Sequence, residues 1–366
     1  MQVALALTFA MSLLACSMSV SAIYKKDDMH SLVEAKEYEF GTEGSINRDY
    51  IYTQNDSEES ISRSGPALNF EIRAAQVLSF DKDNTLTAFK NIGSRKNVYV
   101  LFTGLPEGGK LYYNWRTPSQ EEVKIGTPYY IDVIEGEKQL RNVVFVPSYA
   151  ADKLQPKNIA IPMKVVDATG WRTSGKLNIK VNHAEVSTHF SDVVTPIYAD
   201  SVDFLFNTGI ARGTSGVKIA FAPNANISRA ELVTFLWRAA GSPSPISGNN
   251  PFVDVKADAY YYDAVLWADE NKIVIRCTET KFVPDANVTH QELLFFLHRY
   301  NVEYQNHFDG GSYILDTKDH PEVAEWAELA VKWAEYKGVL TDGSIQFTAN
   351  STRATLALWL HRMLTL

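Results

Sequence analysis

The spacing of apolar residues changes its period partway along this 366-residue chain. Between residues 67 and 182, short runs of alternating or β-branched residues are bounded by turn residues, a pattern typical of strands. In 177–182, Leu, Ile and Val alternate with Asn and Lys, which predicts a strand with one buried face. Further strands are predicted at 97–102, 142–147 and 158–166. Several such strands separated by turns predict a β-sandwich module at 67–184.

From Phe190 onward the apolar period becomes helical, and the sequence repeats itself. The segments FSDV, FVDV and ILDT open three units, each 62 residues after the previous one. Each unit continues with an amphipathic stretch, a polar turn, a seven-residue motif and a second amphipathic stretch. A helical hairpin of this size cannot bury its apolar face alone, so the three copies are expected to share one core. We call them unit 1 (187–244), unit 2 (250–306) and unit 3 (311–366).

The two patterns together predict a multidomain α+β protein, in which a β-sandwich precedes an all-α part built from three helical hairpins. The polar segment 23–66 is interpreted as a linker. Residues 1–22 form an apolar run that ends in small residues, which predicts an export signal and a secreted protein. The run Leu-Leu-Ala-Cys that ends at Cys16 also resembles a lipobox, so lipid anchoring at Cys16 is the alternative to simple cleavage.

The seven-residue motifs NISRAEL, NVTHQEL and NSTRATL mark the starts of the second helices. A hydroxyl residue followed three positions later by Glu is the pattern of a capping box, in which each side chain bonds the other residue's backbone. The first copy has Ser228 with Glu231, the second has Thr289 with Glu292, and the third has Thr352 with Thr355. Helix capping therefore explains the hydroxyl in all three copies, and the Glu in two.

Capping does not explain why Arg229 and Arg353 occupy the first turn of a helix, where the helix dipole disfavours positive charge. A guanidinium beside free backbone N–H groups is a good receptor for a carboxylate or a phosphate. The alternative is an ion pair with a nearby aspartate, such as Asp192 or Asp316. The second copy has His290 in place of Arg, so its site is expected to be weak or silent.

Composition narrows the possible functions mainly by exclusion. The chain is 45% hydrophobic and 21% charged, as soluble globular proteins are. Its net charge is −8, and residues 187–366 hold 14 Lys and Arg against 21 Asp and Glu, which argues against nucleic acid as a partner. An anionic ligand would need individually placed donors. The eight histidines show no metal-ligand spacing and no catalytic motif is present, so we predict no metal, no cofactor and no enzyme activity.

The repeated units also resemble a known family. The F-x-D-V opening, the Gly-Ile-x-x-Gly turn at 209–213, the Phe-x-Pro at 221–223 and Ile-Ser-Arg-Ala-Glu are similar to S-layer homology domains. The resemblance implies a pseudo-threefold bundle with grooves between the units. It also implies non-covalent anchoring to the Gram-positive cell wall through an acidic, pyruvylated secondary cell-wall polysaccharide. The protein would then lie in the wall or S-layer, where self-association is possible.

This resemblance implies roles for particular residues. Arg229 and Arg353 would bind the carboxylate of the acidic ketal. An aromatic residue of the first helix would stack on a sugar face, and the aspartate of the F-x-D opening would accept sugar hydroxyls or, alternatively, cap the first helix. The predicted aromatic residues are Trp326 with Tyr198 and Tyr262 at equivalent places, and the aspartates are Asp192, Asp254 and Asp316.

The β region carries a second resemblance, through KLYYNW (110–115), PYY (128–130) and the D-x-x-G turn at 167–170, to an Ig-like module often found beside S-layer homology domains. No activity accompanies it. Two other functions stay open: an exported glycan-active enzyme that uses the β module, and a self-associating scaffold protein. The absence of a convergent carboxylate or nucleophile pattern argues against the enzyme.

Overall fold

The structure is a computed structural model that describes residues 66–92, 96–149, 156–213, 220–305, 320, 322–341 and 345–366. The predicted export signal at 1–22 and the linker up to residue 65 therefore lie outside the described residues. Asp316 of the third F-x-D opening lies outside them as well.

The first part of the described chain forms two sheets. One has five strands in the order β1-β9-β8-β3-β6, and the other has four in the order β2-β7-β4-β5. The strands are β1 (Ala67–Arg73), β2 (Leu78–Ser79), β3 (Asn97–Phe102), β4 (Gly109–Tyr113), β5 (Glu121–Glu122), β6 (Pro128–Tyr130), β7 (Val143–Pro147), β8 (Lys157–Asp167) and β9 (Arg172–Asn182). A helix α1 (Asp83–Asn91) and a 3-10 turn (Leu140–Asn142) connect them. We call this region, with its loops up to residue 184, the β part.

The four predicted strands are confirmed as β3, β7, β8 and β9. In β9, Leu177, Ile179 and Val181 are at most 4% exposed while Lys180 faces solvent, as the alternation predicted. The β1 strand runs parallel to β9, whereas β8 pairs with β9 in the antiparallel sense. Sheets and helices together agree with an α+β chain, and an immunoglobulin-like topology stays a prediction.

In the described residues six helices follow, two from each unit, where the helical period predicted them. They are α2 (Pro196–Asn207), α3 (Arg229–Ala239), α4 (Tyr262–Glu270), α5 (His290–Arg299), α6 (Glu328–Tyr336) and α7 (Arg353–Thr365). A π-helical turn (Tyr300–Tyr304) extends α5, and a 3-10 turn (Glu325–Ala327) precedes α6. None of the helices in the described ranges has the length and apolar character needed to cross a membrane.

The units are joined in a ring. The second helix of each unit packs on the first helix of the next: α3 on α4, α5 on α6, and α7 back on α2. At the centre, the N–H of Ile227 donates to the carbonyl of Ser351 (2.9 Å), that of Ser351 to Val288 (2.7 Å), and that of Val288 to Ile227 (3.0 Å). The three seven-residue motifs therefore meet in a closed cycle of backbone hydrogen bonds.

The β part and the helical part share one continuous apolar core. The Tyr149 ring stacks on His361 of α7 at 4.6 Å between centroids, and its hydroxyl donates to the carbonyl of Ile197 in α2 (2.9 Å). Arg116, which follows β4, donates to three backbone carbonyls at the ends of α2 and α3. These carbonyls belong to Thr208, Arg238 and Ala239.

Candidate ligand-binding site

Each second helix begins with the hydroxyl cap that the motif predicted. The Ser228 hydroxyl accepts from the backbone N–H of Glu231 (3.2 Å), and the Glu231 carboxylate accepts from the N–H of Ser228 (3.0 Å). The same box joins Thr289 to Glu292, and Thr352 accepts from the N–H of Thr355 (3.2 Å). Capping is therefore confirmed in all three copies.

Arg229 lies at the contact between units 1 and 2 and is 2% exposed. Its Nε donates to the carbonyl of Phe282 (2.9 Å) and its Nη2 to the carbonyl of Ile275 (2.5 Å). The guanidinium lies 4.9 Å from the ring centroid of Phe282 and 5.4 Å from that of Phe296. An arginine of one unit is thus inserted into the next.

The Arg229 charge is buried without a direct carboxylate partner. Burial lowers the pKa of its guanidinium to about 10, while the nearby carboxylates of Glu292 and Asp254 act in the opposite direction. Within the described chain Arg229 forms no ion pair with Asp192 or any other acid, and its Nη1 makes no hydrogen bond. Desolvating an ion costs on the order of several kcal/mol, so buried charges are normally paired. Nη1 is therefore a donor suited to an external anion.

Arg353 occupies the equivalent place between units 3 and 1. Its Nε donates to the carbonyl of Phe221 (2.7 Å), and its guanidinium lies over the rings of Phe221 and Phe235 at 4.9 and 5.5 Å. Unlike Arg229, it forms an ion pair, from Nη1 to Glu231 Oε1 at 2.6 Å. One oxygen of this glutamate therefore closes a capping box while the other neutralises the neighbouring unit's arginine. The Arg353 Nη2 has no hydrogen bond among the described residues.

The two described aspartates of the F-x-D openings do not cap the first helices. Each accepts two backbone N–H groups from the Phe-x-Pro turn of its own unit, at 2.7 to 3.0 Å. Asp192 holds Phe221 and Ala222, and Asp254 holds Phe282 and Val283. The carbonyls of Phe282 and Phe221 accept from Arg229 and Arg353 respectively. Each aspartate therefore holds in place the phenylalanine whose carbonyl positions an arginine. Binding of sugar hydroxyls by these aspartates stays a prediction.

The aromatic register differs from the one expected. Each first helix is followed by a residue in the left-handed region, which gives a common reference point: Gly209 (φ 73°), Lys272 (φ 56°) and Gly338 (φ 70°). Twelve residues before it stand Ile197, Tyr260 and Trp326. Tyr198 and Tyr262 do not match Trp326 in this register, and a role for them in ligand binding stays a prediction.

Trp326 packs on the second helix of the preceding unit, and Tyr260 lies near the start of the corresponding helix. The Trp326 ring packs edge-on against Phe295 of α5 at 5.5 Å, one turn beyond Glu292. Tyr260 is 65% exposed as a residue, and its hydroxyl lies beside the charges at Arg353. Partial desolvation of the hydroxyl and the Glu231 carboxylate raise its pKa, whereas Arg353 lowers it. Tyr260 thus lies close to Arg353, and Trp326 packs one turn away from Glu292, the acid near Arg229.

His290 occupies the third equivalent place, between units 2 and 3. Its Nδ1 lies 2.9 Å from the carbonyl oxygen of Gln346, and its ring centroid is 5.5 Å from that of Trp359. Its carbonyl partner lies one residue before Phe347, the counterpart of the phenylalanines that accept from the arginines, and it lacks their fixed charge.

A second arginine, which is not among the predicted site residues, recurs in every second helix. Arg238, Arg299 and Arg362 each donate to a backbone carbonyl at the end of the first helix of the same unit, at Ile210, Lys272 and Val339 respectively. Recurrence at one place in three copies was the available signal. Their role is to tie the two helices of a unit together. No cluster of three or more potential metal-binding side chains occurs among the described residues.

Comparison with known proteins supports one family. Residues 251–294, which span unit 2 from the F-x-D opening into α5, match the S-layer homology domain. The chain is also 30% identical over 157 residues to the surface-layer 125 kDa protein of Lysinibacillus sphaericus. That alignment covers 42% of this chain but only 12% of the relative. The chain thus contains an S-layer homology domain, and the two similarities indicate a location at the cell surface or in an S-layer.

Proposed function

We propose that this protein anchors itself non-covalently to the cell wall by binding an acidic, pyruvylated secondary wall polymer between its repeated units. The observation that carries the proposal is Arg229, a buried guanidinium that has no ion pair within the described chain and one unused donor. The match to an S-layer homology domain gives this anion receptor a cell-surface context.

A ligand carboxylate would accept from Nη1 of Arg229 at one contact and from Nη2 of Arg353 at another. Charge-assisted hydrogen bonds of this kind are roughly twice as strong as neutral ones. Trp326 and Tyr260 would each offer a ring to a sugar face beside the carboxylate. Asp254 and Asp192 act indirectly in this proposal, because they hold the turns on which the arginines rest. No support has appeared for Tyr198 or Tyr262.

The S-layer homology assignment extends, in this proposal, to units 1 and 3, which would make the helical part a pseudo-threefold bundle. Its support is the cyclic hydrogen bonding of the three motifs and the matching use of Arg229, His290 and Arg353. We likewise propose an Ig-like β-sandwich for the β part. Export through residues 1–22, with or without lipidation at Cys16, is the expected route to the surface.

The proposed role is binding without catalysis. In the β part, the acidic pair Glu121 and Glu122 forms ion pairs with Lys138 and Lys110, which supports a structural use of these carboxylates. A glycan-active enzyme and a self-associating scaffold stay as alternatives that no feature of the described residues favours.

The test is co-sedimentation of the purified full-length chain with Gram-positive cell walls. Native walls are compared with walls whose secondary polymer has been extracted and with walls whose pyruvate ketals have been removed by mild acid. We expect sedimentation with native walls only. Equal sedimentation with all three preparations would contradict binding through the acidic polymer.

Variants then test the arginines. Arg229→Ala combined with Arg353→Ala should abolish sedimentation. The matched control is Arg362→Ala, which removes an arginine of the same helix as Arg353 that donates to Val339 within its own unit. Thermal unfolding of each variant separates loss of binding from loss of fold. If a folded double variant binds as wild type does, the arginines serve only to join the units.

A further inference from the structure

Each contact between units combines residues from all three units. An Arg or His comes from one unit, a Glu or Thr at the capping-box position comes from the next, and the residue aligned with Trp326 comes from the third. Arg353 is paired with Glu231 and lies near Tyr260, whereas Arg229 lies near Glu292, one turn before the Phe295 ring that packs on Trp326. At the third position, alignment of the units gives His290, Thr355 and Ile197. We call these the Arg229, Arg353 and His290 positions.

All three departures from the pattern fall at the same position. His290, Thr355 and Ile197 belong to units 2, 3 and 1, and they lie far apart in sequence. If one unit alone had lost its pattern residues, the substitutions would have fallen at all three positions. Unit 2 instead keeps Glu292 for the Arg229 position and Tyr260 for the Arg353 position. The expectation that the second copy is weak thus applies to a position in the ring and not to a unit.

The β part packs against α7 and α2, the helices that carry Thr355 and Ile197 of the His290 position. One contact reaches Ile197 itself, because the Tyr149 hydroxyl donates to its carbonyl (2.9 Å). Along α7, the Ser148 hydroxyl donates to the carbonyl of Thr365 (3.0 Å), beside the Tyr149 and His361 stack. Along α2, the His183 ring lies 2.8 Å from the buried carboxylate of Asp200, and the Asn207 side chain donates to the carbonyl of Ala75 (3.0 Å).

The other two helix pairs are not held in this way. Among the described residues, no hydrogen bond joins the β part to α4, α5 or α6. Its contact with α3 is confined to the C-terminal end of that helix, where Arg116 donates to the carbonyls of Arg238 and Ala239. Loss of ligand chemistry and docking of the β part thus coincide on the α7–α2 pair.

We infer that the β part docks at the His290 position. The chain then offers two ligand positions, at Arg229 and Arg353. The inference rests on the proposed function for the identity of the ligand. Two positions on one rigid body make binding to a repetitive polymer bivalent, so the second contact forms at a high effective concentration.

The first test counts sites on the full-length chain by isothermal titration calorimetry. The probe is the methyl glycoside of a hexosamine that carries a pyruvate ketal, because a monomeric ligand excludes bivalent attachment. We expect two molecules bound per chain. Three molecules would overturn the inference while supporting the proposed function. No binding by the wild type would contradict the proposed function, and the number of ligand positions with it.

Matched variants at the aligned aromatic position locate the sites without removing a buried charge. Tyr260→Ala and Trp326→Ala should each weaken one site at least tenfold, whereas Ile197→Ala should leave both sites unchanged. If Ile197→Ala removes a site, the His290 position binds ligand and the inference is wrong.

A second measurement, which needs no ligand, tests whether the β part docks at the His290 position. In Tyr149→Ala, amide hydrogen exchange should become faster in α2 and α7 and stay unchanged in α4 and α5. Unchanged exchange in α2 and α7 would show that the β part does not stabilise this helix pair, which would overturn the inference even if two sites were counted.

Discussion

The side chain of Arg116 is expected to hold the β part and the helical part in one cooperative unit. Its guanidinium donates to the carbonyls of Thr208 (2.5 Å), Ala239 (3.1 Å) and Arg238, which lie where α2 and α3 end. The C-terminal carbonyls of a helix have no partner within the helix and carry the negative end of its dipole. One cation therefore satisfies two helix ends at once, and Arg116→Ala removes this contact.

The magnitude follows from the number and setting of the bonds. A hydrogen bond to a charged group contributes about 1.5–3 kcal/mol, so three independent bonds would give at least about 4.5 kcal/mol. Arg116 is only partly buried, and water can hydrate the released carbonyls, which reduces the loss. We expect Arg116→Ala to lower the free energy of unfolding by about 3 kcal/mol. At about 2–4 °C per kcal/mol, the melting temperature should fall by about 6–12 °C.

Differential scanning calorimetry of the full-length chain gives both the melting temperature and the number of transitions. Wild type should unfold in one transition, and Arg116→Ala should unfold earlier, with the transition broadened or divided. Arg116→Lys should be intermediate, because an ammonium group cannot reproduce the planar fork. Arg172→Ala, which removes an exposed arginine of β9, is the control. A change of less than about 0.5 kcal/mol in Arg116→Ala would refute this account.

Three further predictions concern the helical part. Lys272→Gly should raise the free energy of unfolding by about 0.5–1 kcal/mol in urea, because a non-glycine residue at φ 56° is strained; a decrease would contradict this. Asp254→Asn should lower the free energy of unfolding by about 2 kcal/mol, because the amide cannot accept from both N–H groups of the turn. An unchanged urea midpoint would show that Asp254 does not stabilise the turn. Burial, with the charges of Arg362 and His183, holds the pKa of His361 well below 6.5. Below pH 6.5 the unfolded chain binds a proton at His361 that the folded chain does not, so the free energy of unfolding should fall by up to about 1.4 kcal/mol per pH unit. His361→Gln should flatten this dependence. An unaltered pH profile in the variant would refute the role of His361.

The hydrophobic period predicted those elements that bury one face of a regular pattern. It located β3, β7, β8 and β9 and all six helices of the units. It did not predict α1, because the stability of that helix depends on distant residues. Phe89 of α1 is fully buried, and the Asn97 side chain donates to the carbonyls of Phe89 and Ile92 at the end of the helix. Such tertiary capping leaves no local signal.

For the site, the sequence indicated which residues were unusual but not which residues they meet. The capping boxes follow from residues three positions apart, and their prediction was confirmed. The contacts of Arg229 with Phe282 and of Arg353 with Glu231 join different units, and only the closure of the ring determines them. The aromatic register was missed because aromatic residues stand at different registers near the start of each first helix, and only the left-handed positions at Gly209, Lys272 and Gly338 show which of them are equivalent.

The cycle formed by Ile227, Val288 and Ser351 has a mechanical consequence. In a linear array of repeats, each terminal repeat has one neighbour and can separate while the others stay folded. A ring has no terminal repeat, so opening any one unit breaks two contacts between units and disturbs both arginine positions. A protein that holds on to a wall under tension would therefore resist force until the whole ring yields, instead of releasing its hold one repeat at a time.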